Sequence, residues 1–111
     1  MPERDPRLYV EDILQAISRI RSYMQGMDEA AFRIDGKSQD AVIRNLEIIG
    51  EAAKNLPKDI RDSVPEIEWR KIIAFRNILT HEYFGVSLTI IWDVTQTKLA
   101  PLERACQRLM E

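Results

Sequence analysis

Apolar residues return at steps of three and four along most of this chain and almost nowhere at steps of two. Val10, Ile13, Leu14, Ile17, Ile20 and Met24 make one such stripe. Val42, Leu46, Ile49, Ala53 and Leu56 make another, spaced 4-3-4-3. A repeat near 3.6 residues puts side chains on one face of an α-helix, so each stripe predicts a helix with a buried side. Gly26, Gly36, Pro57, Pro65 and Gly85 divide the chain into four long stretches, roughly 7–24, 38–56, 66–83 and 87–110. These are too long for ordinary strands, and no hairpin signal such as Asn-Gly occurs. The expectation is an all-α, up-and-down four-helix bundle, one domain over residues 1–111, with short additional helical turns.

Local signals place the helix ends. Asp5 is a candidate N-cap and Pro6 suits the first helical position, where its missing N–H costs nothing. Asp28 is placed to cap a short turn carrying Phe32. Ser63-Val64-Pro65-Glu66 matches a capping box and predicts the start of the third long helix. The fourth begins near Ser87 and carries a heptad-like seam of Leu88, Trp92, Thr95, Leu99, Leu102, Cys106 and Leu109. Pro101 removes the hydrogen bond to the Thr97 carbonyl and should kink that helix rather than end it.

The third helix is apolar on two sides. Ile67, Ala74 and Ile78 cluster on one, with Phe75 at its edge, and Trp69, Ile73, Arg76, Thr80 and Tyr83 almost opposite. An outer helix of a bundle should keep one wet face. The Trp69 side is therefore expected to meet a partner subunit, which predicts a homodimer.

Composition narrows the function. With 16 basic and 18 acidic residues the net charge is −2, which excludes a bulk electrostatic nucleic-acid binder but not a focused basic site. One cysteine and one histidine allow no internal disulfide and argue against a dedicated metal site, so no metal or cofactor is expected. No apolar run approaches the ~20 residues of a membrane span, and MPERDPRLYV has no signal-peptide core. The expectation is a cytoplasmic protein without a membrane partner. Cys106, on the fourth helix's seam, reads as a small core residue. Trp69 and Trp92 read as core or interface anchors, and Glu47 with Glu51 as a solvated helix face. Lys54, Lys58, Arg61, Arg70 and Lys71 could form a basic rim for RNA, diluted by interspersed acids.

The segment Arg76-Asn77-Ile78-Leu79-Thr80-His81-Glu82-Tyr83 carries the chemistry. On a straight helix His81 lies ~140° from Arg76, among the apolar positions. Either the helix ends or distorts near Thr80 and His81, or the two residues meet across a dimer axis. Arg76 could pair with Glu47, Glu51 or Glu82. Asn77 could cap the helix end or position His81. Tyr83 read by itself is an amphipathic packing residue.

This octapeptide has the form R, four residues, H, one residue, Y, and it resembles the signature of the HEPN superfamily, specifically the HepT-like toxins. Ile48-Ile49-Gly50-Glu51-Ala52-Ala53-Lys54 resembles that family's second-helix motif, and Trp69 and the Val86 to Trp92 stretch also fit. The resemblance implies an RNA-directed toxin, a metal-independent endoribonuclease acting as a homodimer, with Arg76 and His81 catalytic and Asn77 supporting. It also implies a partner, a minimal nucleotidyltransferase antitoxin that silences the toxin by transferring AMP to Tyr83. The chemistry is compatible: histidine can give or take a proton at neutral pH, and arginine offers a planar fork of donors to phosphate. One histidine per chain favours a two-fold site, because base and acid act on opposite sides of phosphorus. The alternative is a non-catalytic nucleotide- or RNA-binding subunit that docks the nucleotidyltransferase; a third reading is a purely structural bundle. The chain lacks the Gly-Ser and paired-aspartate pattern of a nucleotidyltransferase itself.

Overall fold

Short polar side chains open the helices of the first half. In the computed structural model, which describes residues 4–82 and 85–111, α1 runs Pro6–Tyr23. Asp5 caps it, its carboxylate accepting from the Arg7 N–H at 2.9 Å, with Pro6 in the first turn. The chain turns back through Gly26, whose φ of +79° lies in the left-handed region that a Cβ would strain. Asp28 then caps α2 (Glu29–Ile34) by accepting from the Ala31 N–H at 2.8 Å. Asp35 caps α3 (Gly36–Asn55), accepting from both the N–H and the hydroxyl of Ser38. These two bonds hold the Asp35 carboxyl below the usual carboxylate range. Gly36 is thus the first residue of a helix rather than a break between two.

The predicted capping box does not form. Ser63 instead ends a short helix, α4 (Lys58–Asp62), donating its hydroxyl to the Ile60 carbonyl. Glu66 pairs with Arg108 near the chain's other end. The third long helix, α5, starts only at Trp69 and runs to His81, with Glu68 in the N-cap position and no side-chain cap bond. The reason lies in tertiary packing. Val64 is buried and Ile67 packs on the core, while Pro65 and Glu66 between them stay exposed, so the segment takes turns in place of a first helical turn.

Ser87 opens α6 (Leu88–Thr97) as expected, accepting from the Ile90 N–H. At Lys98 the helix is interrupted, and α7 (Leu99–Leu109) resumes at once. Pro101, which cannot donate to Thr97, sits in the first turn of α7, where that loss is tolerated. Among the described residues there is no strand.

The rods form an all-α bundle. α1 packs on α3 and α7, α3 also on α5, and α2 bridges α3 and α6. One buried cluster joins Val10, Ile13, Ile17 and Ile20 of α1 to Val42, Leu46, Ile49 and Ala53 of α3 and to Leu102 and Cys106 of α7. Phe32 of α2 is fully buried and meets the Trp92 ring at 5.9 Å. Cys106 is a core residue, as its place on the seam predicts, and burial pushes its thiol up to about 12. No described helix is long and apolar enough to cross a membrane.

Candidate functional site

Three contacts hold α5. At its start the buried Trp69 donates its indole N–H to the Arg61 carbonyl at 3.1 Å, tying α4 to α5. Near its end Leu79 is fully buried. Between them α5 crosses α3 at Gly50, where a Cβ would stand 2.2 Å from the Cβ of Arg76 and 2.7 Å from its Cγ. Only glycine permits that approach. A glycine inside a helix costs about 1 kcal/mol relative to alanine, and here the cost is offset by close packing of two helices. The close approach sets Arg76 beside the next residue of α3.

That residue is Glu51. Its Oε2 lies 2.8 Å from Nη2 of Arg76, and Nη1 of Arg76 donates to Oδ1 of Asn77 at 3.0 Å. Of the three carboxylates the sequence offers Arg76, the fold selects Glu51, because Gly50 brings that turn of α3 against α5. The Arg76 side chain is 26% exposed: its stem is packed and part of its guanidinium is open to solvent. Glu51 is therefore more than a solvated position, although its side chain remains half exposed. Asn77 accepts the Arg76 bond with its Oδ1, which ties it to the guanidinium.

His81 lies elsewhere. α5 stays helical through His81, and Glu82 closes it with its N–H on the Ile78 carbonyl at 2.8 Å. The helix does end at His81, as the first of the two arrangements has it, but it stays regular up to that residue and so does not by itself bring His81 to Arg76. Arg76 and His81 are ~140° apart around one regular helix. Arg76 faces α3, while His81 is exposed on the other side together with Arg70, Ala74, Asn77 and Ile78. Ile78 is 47% exposed.

This reverses the expectation for the two apolar sides of α5. The side carrying Trp69, Ile73 and Arg76 is the one covered, by this chain's own α3. The side carrying Ala74 and Ile78 is open. The pattern of apolar residues is similar on both, and what decides between them is Gly50, whose missing side chain admits one and not the other. Tyr83 lies outside the described residues. Of the five basic residues read as a rim, Lys58, Arg61, Arg70 and Lys71 line one depression, and Lys54 does not.

A helical bundle with an arginine and a histidine five residues apart near the end of one edge helix defines the class, and comparison with known proteins identifies the family. The model of the Ribonuclease HepT-like family matches residues 13–109, and the chain belongs to that family. It is 41% identical over 99 residues to the Methanocaldococcus jannaschii protein named "Putative RNase MJ0127", covering 89% of this chain and 82% of that one. It is 39% identical over 107 residues to "Probable ribonuclease HepT" of Thermococcus cleftensis, covering 96% and 97% of the two chains. A Caldanaerobacter subterraneus protein, "Putative RNase TTE0752", is 37% identical over 108 residues, covering 97% of this chain and 96% of that one. No solved structure gives a significant match.

Proposed function

We propose that this protein is a metal-independent endoribonuclease that works as a homodimer and is the toxin of a two-component toxin–antitoxin system. One observation carries the reading: Arg76 and His81 leave α5 on different sides of a regular helix, so one chain by itself does not assemble them. A second copy laid on the open Ala74–Ile78 side would cover apolar surface and bring the two histidines to a shared axis. The family and the names of its relatives support RNA as the substrate.

In this reading one His81 takes the proton from the ribose 2′-hydroxyl, whose oxygen attacks the adjacent phosphorus. The bond from phosphorus to the 5′-oxygen breaks, and the other His81 returns a proton to that oxygen. Arg76 binds the non-bridging oxygens as negative charge builds, and Glu51 and Asn77 hold its guanidinium in place. A cognate minimal nucleotidyltransferase silences the toxin by transferring AMP from ATP to the Tyr83 hydroxyl with release of pyrophosphate, which places charge and bulk two residues from His81.

The test is RNA cleavage in excess chelator. His81→Ala should lower the rate at least ~100-fold without shifting the melting temperature, because the side chain is exposed. Wild type mixed and exchanged with an equal amount of His81→Ala should keep about a quarter of the activity, the share of dimers with both histidines. A half would mean that each protomer acts alone, which defeats the shared site. No cleavage by the wild type would leave the non-catalytic binding subunit as the better reading, and full activity in His81→Ala would remove His81 from the catalytic role. Co-expression with the nucleotidyltransferase and ATP should add one or more AMP units to the intact mass, and Tyr83→Phe should abolish the gain.

A further inference from the structure

Outside the Arg76–Glu51 contact, a cationic concavity lies where α4 meets the first turn of α5. It has a volume of about 690 Å³ and is lined by Lys58, Arg61, Arg70 and Lys71 against only two carboxylates, Asp62 and Glu68. Both carboxylates are already engaged, Asp62 by Lys58 at 2.8 Å and Glu68 by Lys71 at 2.7 Å. Among the described residues neither Arg61 nor Arg70 has a carboxylate partner, so the depression keeps two unneutralised guanidinium groups. The Nε of Arg61 is, moreover, buried without a hydrogen-bond partner. A buried donor left unpaired is costly, so among the described residues nothing within the fold neutralises this guanidinium. The Trp69 indole bond to the Arg61 carbonyl makes the pairing of the two arginines a property of the fold.

The position of this depression relative to the histidine gives it meaning. Arg70 and His81 are eleven residues apart on α5, which turns them to within about 20° of one another at a separation of about 16 Å along the axis. Arg70, Ala74, Asn77 and His81 therefore form one straight, exposed stripe. Its near end is cationic and its far end carries the proton-transfer group.

We propose that the Arg61–Arg70 depression is a phosphate-binding exosite for RNA, holding the strand a few nucleotides away from the bond that is cut. This rests on the ribonuclease reading for the identity of the ligand. It adds a surface distinct from the Arg76 contact, where the fold sets cations in excess in a chain whose net charge is −2. The site is fitted to backbone charge, because its unpaired groups are guanidiniums whose planar forks match phosphate oxygens. Long RNA engages it, and a dinucleotide bound at His81 does not reach it.

The experiment measures binding of a nuclease-resistant 2′-O-methyl RNA 12-mer to the His81→Ala protein across a salt series, together with cleavage by proteins that retain His81. Each of Arg61→Ala and Arg70→Ala should reduce the slope of log affinity against log salt by about 0.7, and the double variant should bind roughly ten-fold more weakly at low salt. Arg61→Lys and Arg70→Lys should restore most of the slope, which a merely structural role would not predict. In cleavage, the double Ala variant should raise KM for a long RNA while kcat for a dinucleotide stays at the wild-type value. Arg104→Ala, on the exposed surface of α7, serves as the control and should change neither. If the double variant binds the 12-mer with the wild-type salt slope while Arg76→Ala weakens it, the exosite is refuted and the ribonuclease reading stands. If the parent protein binds no RNA at all, both fall. If binding depends on Arg61 and Arg70 but no RNA is cut by wild type, the exosite stands and the ribonuclease reading fails.

Discussion

Helices α3 and α5 touch along much of their length, yet they are built for opposite purposes. α3 buries eight of its twenty residues, including Val42, Leu46, Ile49 and Ala53, and its neighbours lie on several sides. α5 buries only Trp69 and Leu79 of its thirteen and is pinned at those points and at the Gly50 crossing. A helix seated throughout its length in the core can supply stability but little reachable chemistry. One seated along a single side, with Ile72, Ile73 and Phe75 half-buried between its anchors, keeps its backbone in place while the other side remains open. The catalytic candidates all lie on the second kind of helix, and the residues that hold them in position, Gly50 and Glu51, lie on the first.

The contrast is broken most severely from the core. Phe32→Ala removes a fully buried ring that packs on Trp92 and should cost about 3–5 kcal/mol, read as a lower denaturation midpoint. Ile78→Ala, on the open side of α5, should cost less than ~0.5 kcal/mol in dilute protein. Its effect should grow with protein concentration if a second copy covers that face. An equal loss from both at low concentration would mean that α5 is not open on this side.

Gly50→Ala tests the crossing itself. The new methyl group meets the Arg76 stem at 2.2 Å, so α5 must move away, at a cost of about 1–3 kcal/mol. RNA cleavage measured well below the melting temperature should fall more than the folded fraction does, because Arg76 is displaced from Glu51. Loss of activity only in step with unfolding would show that the close approach serves packing alone.

The smallest effect lies at the far end of α3. Asp35 has its pKa lowered from 3.8 by the backbone and hydroxyl bonds of Ser38, so its carboxylate stabilises the fold fully above that value. That contribution is lost as pH falls through the lowered, folded-state pKa. Asp35→Asn should therefore melt slightly below wild type near pH 7, and the gap should close as the pH falls through the lowered folded-state pKa of Asp35. Cleavage at pH 7 should be unaffected, since Asp35 caps the end of α3 remote in sequence from Gly50 and Glu51.

The sequence by itself determined the parts governed by near neighbours. Helix starts at Asp5, Asp28 and Ser87 follow from side-chain bonds spanning two or three residues, and the buried stripes of α1 and α3 follow from a 3.6-residue repeat. The Arg76–His81 spacing, and with it membership of the family, was legible in the same way. Tertiary structure alone decided where α5 begins, because Ser63 and Glu66 satisfy the local rule for a capping box and yet find partners in Ile60 and Arg108. It also decided which side of α5 is covered and which carboxylate Arg76 receives. Local sequence ranks the two apolar sides alike, and the choice rests on one absent Cβ at Gly50, twenty-six residues away, which lets α3 and α5 close on each other. Periodicity reports that a face must be buried; only the partner that fits against it determines which face that will be.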